Sequence, residues 1–195
     1  MARPAALNRL PSTQDEFEDW CTGPDGPELG HFEFLHGCIV AEPPANWPHG
    51  RIGGSVGARL GAFVEKRRLG LFFDSSQGFA LPSGDTVEPD AAVILQDTWD
   101  AAPPPRPRFL RIVPDLVVEV LSPSTAWRDR SVKRKIYERN GVREYWLLDT
   151  RRREITVLVR GPAGRFVTAC AVTGDERACS VLLPGFAVRP SDVFP

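Results

Sequence analysis

The side chain with most to explain in this sequence is Glu119, a lone acid set among Leu116, Val117, Val118, Val120 and Leu121. So dense an apolar run reads as a strand covered on both faces. An ionised side chain buried without a partner costs several kcal/mol, so an acid there is paired, protonated or holding a cation. Asp90 raises the same question. It stands immediately before the apolar run AAVIL, after Pro89 has fixed the start of a strand. If the two strands are neighbours, both carboxylates can share one cation.

A lysine belongs with them. Beyond Glu119, Ser122-Pro123-Ser124-Thr125 supplies a turn, with Ser124 or Thr125 as the hydroxyl cap of a helix that runs to about Asn140 and stops at Gly141. Asp129, Lys133 and Tyr137 recur every fourth residue on one stripe of it, while Val132 and Ile136 supply its contact with the sheet. Lys133 therefore rides near the strand, although an Asp129–Lys133 pair is also what an ordinary surface ion pair looks like, worth about 0.3–0.5 kcal/mol. VREYWLLD (142–149) is the next strand, so Pro114 to Asp149 holds strand, helix and strand within 36 residues, the length of a crossover unit.

The remaining elements frame that unit. Ser12 or Thr13 caps a short N-terminal helix, and HFEFLHGCIVAE (31–42) is a hairpin turning at His36-Gly37. Glu33 lies in its first strand, where a lone acid usually marks the wet face. A helix spans about His49 to Arg68, with His49 at its start facing either a groove or water. Short strands are expected at 71–74 and 78–81, a hairpin at 143–149 and 154–160, and closing strands at 165–172 and 179–188. Prolines 103, 104, 105 and 107 make 97–113 an irregular loop.

Composition bounds the class. With 195 residues, 42% of them apolar, the chain can build one substantial core, and 1–195 is read as one domain with 1–30 as an N-terminal helical extension. No run of about 18 apolar residues could span a membrane, and the N-terminus lacks the apolar centre of a secretion signal. A cytoplasmic location is the expectation. Cys21, Cys38, Cys170 and Cys179 show neither zinc-ligand nor disulfide spacing and are read as free thiols. The net charge of −1 hides an asymmetry: residues 106–153 carry 13 basic and 6 acidic side chains, against a surplus of acids elsewhere. Such a stretch could attract phosphate, or simply solvate a helix and two loops.

PDLVVEVLSPST, followed by Asp129, Lys133, Tyr137 and GVREYWLLD, resembles the Uma family of restriction-endonuclease-like proteins, a branch of the PD-(D/E)XK nuclease superfamily. FEFLHGCIV, PPANWPHGRI, TVEPDAAVI and the closing LLPGF extend the likeness over most of the chain. The resemblance implies an α/β (α+β) fold: a restriction-endonuclease-like mixed β-sheet flanked by helices, with extra antiparallel hairpins. It also implies that Asp90 and Glu119 are the paired acids. The superfamily's lysine, two residues after the second acid, is here Leu121. The Uma branch recovers it from the following helix, which points to Lys133, with Lys135 as the fallback.

The implied activity is metal-dependent hydrolysis of DNA by an endonuclease-like phosphodiesterase. Such chemistry builds negative charge on phosphoryl oxygens, which a hard divalent cation, Mg²⁺ or Mn²⁺, offsets while acidifying bound water. Asp90, Glu119 and the Val120 carbonyl are the expected ligands, and Glu33 or His49 an accessory. Cutting a duplex wants two active sites, hence an expected homodimer. Two other readings remain open: a non-catalytic DNA-binding or protein-interaction module on the same scaffold, and a buried ion network without activity.

Overall fold

The computed structural model describes residues 10–23, 27, 30–42, 44, 47–102 and 109–195. Helix α1 (Gln14–Thr22) opens where the Thr13 side chain accepts the Glu16 amide at 3.2 Å. Strands β1 (His31–Leu35) and β2 (Cys38–Glu42) form the anticipated hairpin. Its two-residue turn takes positive φ at both His36 (53°) and Gly37 (81°), the geometry whose twist matches the strands. Helix α2 (His49–Arg67) follows, then the strands β3 (Gly70–Asp74), β4 (Phe79–Ala80), β5 (Thr86–Val87) and β6 (Ala91–Leu95).

After β6 the chain departs from the irregular loop expected at 97–113: α3 (Gln96–Ala101) occupies its start, and Leu110 bridges to Phe79 at its end. Pro103, Pro104, Pro105 and Pro107 lie outside the described residues. Strand β7 (Leu116–Leu121) leads into α4, which opens as a π-helical turn over Arg128–Lys133 and continues as an α-helix over Arg134–Asn140. It ends at Gly141 with φ 93°, as the sequence suggests. Then come β8 (Glu144–Asp149), β9 (Glu154–Arg160) and β10 (Phe166–Thr173). The expected strand at 179–188 is instead a small hairpin, β11 (Ala178–Cys179) with β12 (Ala187–Val188), because the chain turns at Pro184-Gly185. The short α5 (Pro190–Val193) follows.

Six strands build the central mixed sheet, in the order β10-β9-β8-β7-β6-β3, with β7 and β8 its parallel pair. Its two faces bury different partners. Leu116, Val118 and Val120 pack with Ile52, Val56, Leu60 and Val64 of α2, whereas Val117 and Leu121 pack with Ile136 and Tyr137 of α4. By the same alternation Glu119 belongs to the α4 face. On β6, Ala92 and Ile94 share that face, and the antiparallel register Ala91↔Val118 runs on to set Asp90 beside Glu119. A second sheet, ordered β2-β1-β5-β4, lies on that side as well, with Leu35, Phe79 and Val87 in the same cluster.

Where α2 hands over to β3, Gly70 holds φ 151°, and a Cβ there would stand 2.1 Å from the Ile94 carbonyl oxygen. Backbone cannot yield as a side chain can. Gly70→Ala is therefore expected to cost about 2 kcal/mol or more in urea unfolding; a loss under about 0.5 kcal/mol, the range of neutral surface changes, would contradict this close approach.

Candidate functional site

The acid in the middle of β7 has its partners. Glu119 is 4% exposed, and its Oε1 accepts from Lys133 Nζ at 2.6 Å and from the Tyr137 hydroxyl at 2.7 Å. Lys133, 3% exposed, also reaches Glu33 Oε1 at 2.9 Å and stands 3.8 Å from Asp129 Oδ1. The π-helical turn matters for this convergence. Its wider winding carries the Arg134 amide to the Asp129 carbonyl, five residues back, and such turns are frequent at functional sites. Tyr145 closes the arrangement from β8, its hydroxyl donating to the Asp129 carbonyl at 3.1 Å.

Asp90 joins from the other strand. Its Oδ2 accepts the Val120 amide at 2.7 Å, which ties it to the backbone one residue past Glu119, and His49 Nε2 lies 3.5 Å from the same oxygen. Asp90, Glu119, Val120, Asp129, Lys133 and His49 all line one cavity of about 290 Å³. The structure thus brings Asp90, Glu119 and Lys133 together, and Glu33 and His49 with them. Lys135 is exposed and lies outside this group.

Two local expectations change. Glu33 is not on a wet face: it is fully buried, its Oε1 also accepts the Glu88 amide at 2.9 Å, and its Oε2 has no partner among the described residues. The hairpin sequence could not reveal this, because β1 is buried on both faces: Phe34 stacks on Phe17 of α1, while Glu33 meets Lys133 of α4. The cap of the turn after β7 is Ser122, not Ser124 or Thr125. Its Oγ accepts the Thr125 amide at 3.2 Å and its carbonyl the Ala126 amide at 2.9 Å. Tyr137 and Asp129, noticed in the sequence as a stripe, become contributors only when β7 and α4 are docked.

The site is short of positive charge. Glu33, Asp90, Glu119 and Asp129 surround one ammonium. Burial pushes Glu119 well above the usual carboxylate range, with Lys133 opposing. Burial likewise raises Asp90 against the pull of His49, and raises Asp129 to about 6 against that of Lys133. Burial alone would discharge Lys133, but the Glu119 and Glu33 carboxylates outweigh it and hold its pKa well above the ordinary lysine value.

A hard divalent cation fits this donor set. One oxygen each of Asp90 and Glu119 is committed, and no donor among the described residues engages Asp90 Oδ1 or Glu119 Oε2. Among the described residues no group of three or more His, Cys, Asp or Glu side chains is placed to hold a metal ion.

The profile of the Uma2 family, described as “Putative restriction endonuclease”, matches residues 14–191. A crystal structure from Anabaena variabilis, titled a “putative nuclease belonging to DUF820”, is similar with a TM-score of 0.73 at 19% identity, covering 94% of this chain and 98% of that one. At that identity the likeness is one of fold. No curated protein matches the chain. No helix among the described residues is long and apolar enough to cross a membrane.

Lys133→Met would leave Glu33 and Glu119 facing each other without their cation, and is expected to cost about 3–5 kcal/mol at pH 7 in chemical unfolding. A loss below about 1 kcal/mol, the worth of an exposed pair, would show that this contact is not the buried one described. Asp129 gives a pH signature. Its pKa is raised on folding from 3.8 to about 6, so its contribution to stability is fully present below 3.8 and lost as pH rises through 6. In Asp129→Asn that loss between pH 4 and 6.5 should be missing, and an unchanged pH profile of unfolding would refute the assignment.

Proposed function

The chain belongs to the Uma2 family and is nuclease-like, and from that premise we propose that it is a divalent-metal-dependent endonuclease hydrolysing phosphodiester bonds of DNA. The observation that carries this reading is the meeting of Asp90, Glu119 and Lys133 at one cavity, with Lys133 Nζ 2.6 Å from Glu119. Asp90, Glu119 and the Val120 carbonyl would hold Mg²⁺ or Mn²⁺. Such an ion, when bound, offsets charge on the phosphoryl oxygens and lowers the pKa of its water.

The chain's own residues do the rest. Lys133 holds a positive charge beside Glu119, and Glu33 pulls on the same ammonium, so its position is fixed before substrate arrives. Tyr137 donates to Glu119 Oε1, the oxygen that Lys133 also holds, so Oε2 is the one that would be available to a cation. The Val120 amide orients Asp90 in the same way. His49, next to Asp90 on the cavity wall, stands where it can hold an outer water. A homodimer in the cytoplasm is the assembly we propose.

Purified protein with Mg²⁺ or Mn²⁺ should nick supercoiled plasmid. Asp90→Ala, Glu119→Gln and Lys133→Ala should each lower the rate by roughly 10²-fold or more, and the first two should also lose metal binding in calorimetric titration. Wild type that binds DNA but never cuts it would make the protein a binding module on this scaffold. Wild type that neither binds nor cuts, with Glu119→Gln changing stability alone, would reduce the site to a buried ion network.

A further inference from the structure

Two indoles stand in water beside the cavity, and nothing in the catalytic reading uses them. Trp47 is 71% exposed and Trp127 63%, whereas Trp146 is buried at 1% and Trp20 and Trp99 are partly covered. Each exposed indole belongs to a short segment whose two flanks line the cavity: Trp47 lies between Pro44 and His49, Trp127 between Thr125 and Asp129. The segments come from opposite sides of the site, one at the start of α2 and the other at the start of α4. An exposed indole offers a broad apolar face with a polar edge, a surface suited to a flat ligand.

Their chemistry selects the partner. An indole face stacks on a nucleobase whose own face is free, and such stacking tolerates every base. A base inside a duplex offers no such face. Arg51, four residues after Trp47 and two after the cavity-lining His49, is exposed and has no ion pair among the described residues, so it is free to meet a phosphate. The acids inside the cavity answer to a metal ion, not to the strand's phosphates. We propose that Trp47 and Trp127 are stacking platforms for unpaired bases of a nucleic-acid strand whose backbone enters the cavity between them. The substrate class is then single-stranded or locally unpaired nucleic acid. This rests on the phosphodiesterase reading above and narrows it.

A second cavity, of about 340 Å³, supplies the way out of the site. It shares His49, Ser75 and Asp90 with the first and runs over Gly50, Gly53, Gly54 and Gly57 of α2. A Cβ on Gly54 would meet nothing within 4 Å, so no internal contact demands glycine there. Glycine in a helix interior is unfavourable. A strand leaving Trp47 along this bare helical backbone gives Gly54 a reason.

The test is binding of a mixed-sequence 20-nucleotide DNA oligonucleotide by wild type in EDTA, followed by fluorescence anisotropy, against the same sequence as a duplex. The single strand should bind at least about tenfold tighter. Trp47→Ala and Trp127→Ala should each weaken its binding by roughly 5- to 100-fold, with duplex affinity within about twofold and melting temperature unchanged, since both side chains are exposed. Gly54→Leu, which improves helix propensity, should raise the melting temperature yet weaken single-strand binding. Indole variants that bind the single strand like wild type overturn the proposal, as does a wild type that prefers duplex. If the same variants instead dissociate a dimer in light scattering while oligonucleotide binding is untouched, the indoles belong to a protein interface and the proposal falls. Plasmid nicking that survives in the indole variants but not in Asp90→Ala would sink the stacking platforms alone; absence of binding and nicking in wild type would sink both readings.

Discussion

One ammonium holds this site together. Lys133 is withdrawn from water and stands within 3 Å of two buried carboxylates that arrive from different sheets, Glu33 from β1 and Glu119 from β7. Without it the small sheet and the central sheet would present like charges to each other across a low-dielectric gap, where repulsion is many times its value in water. With it, α4 becomes the strut between them. The hairpin, the crossover helix and the central sheet are therefore mutually positioned by the same contact that arranges the chemistry.

Buried acids elsewhere in the molecule show what a merely structural carboxylate looks like. Glu144 is fully buried, and it accepts from Trp146 Nε1 at 2.6 Å and from the amides of Val181 and Leu182 at 2.8 and 2.7 Å, so both its oxygens are used. Asp115 takes the Leu95 amide at 2.8 Å on one oxygen and Arg143 at 3.1 Å on the other. Asp85 receives the His36 amide on one oxygen and Ser83 and Arg139 on the other. Two acids lining the cavity, Asp90 and Glu119, and Glu33 behind them depart from this pattern together. Glu33, Asp90 and Glu119 each commit one oxygen and leave the second without a donor among the described residues. A carboxylate oxygen buried without a partner is expensive, and of these three acids only Glu33 Oε2 is in that position among the described residues. Asp90 and Glu119 line the cavity, where a cation from outside would complete them.

Much of this was legible in the sequence because periodicity and isolation are local signals. One acid in LVVEVL and another ahead of AAVIL mark interrupted apolar strands, and the spacing of Asp129, Lys133 and Tyr137 marks a helical stripe. What stayed hidden depends on docking. Glu33 reads as wet until Lys133 of α4 is seen against it, and the hairpin pattern is the same for either face. The π-helical turn leaves no trace in composition. Residues 179–188 look continuous by apolar content, yet Pro184-Gly185 breaks them into two short strands. Asp115 is the opposite lesson. It follows a proline just as Asp90 does, but it serves as an anchor for the loop before β7, so the dipeptide alone does not separate a site acid from a structural one.

On the proposed reading the amine comes from a helix, and that has a physical consequence. Position 121 of the strand holds a leucine that packs with Ile136 and Tyr137, so that end of the α4 face is apolar. A lysine on β7 would reach the acids along the sheet and expose its stem to the cavity. One from α4 comes down from above, with Tyr137 a turn further on closing the same carboxylate oxygen. The charge is then fixed by a helix whose own register is set by the π-helical turn at Arg128–Lys133. A register shift of one residue would replace Lys133 by Val132 or Arg134. Arg134 already pairs with Glu138 and donates to the Phe166 carbonyl, so the fold anchors the helix on the far side as well. The electrostatics of the site and the winding of α4 are thus one constraint.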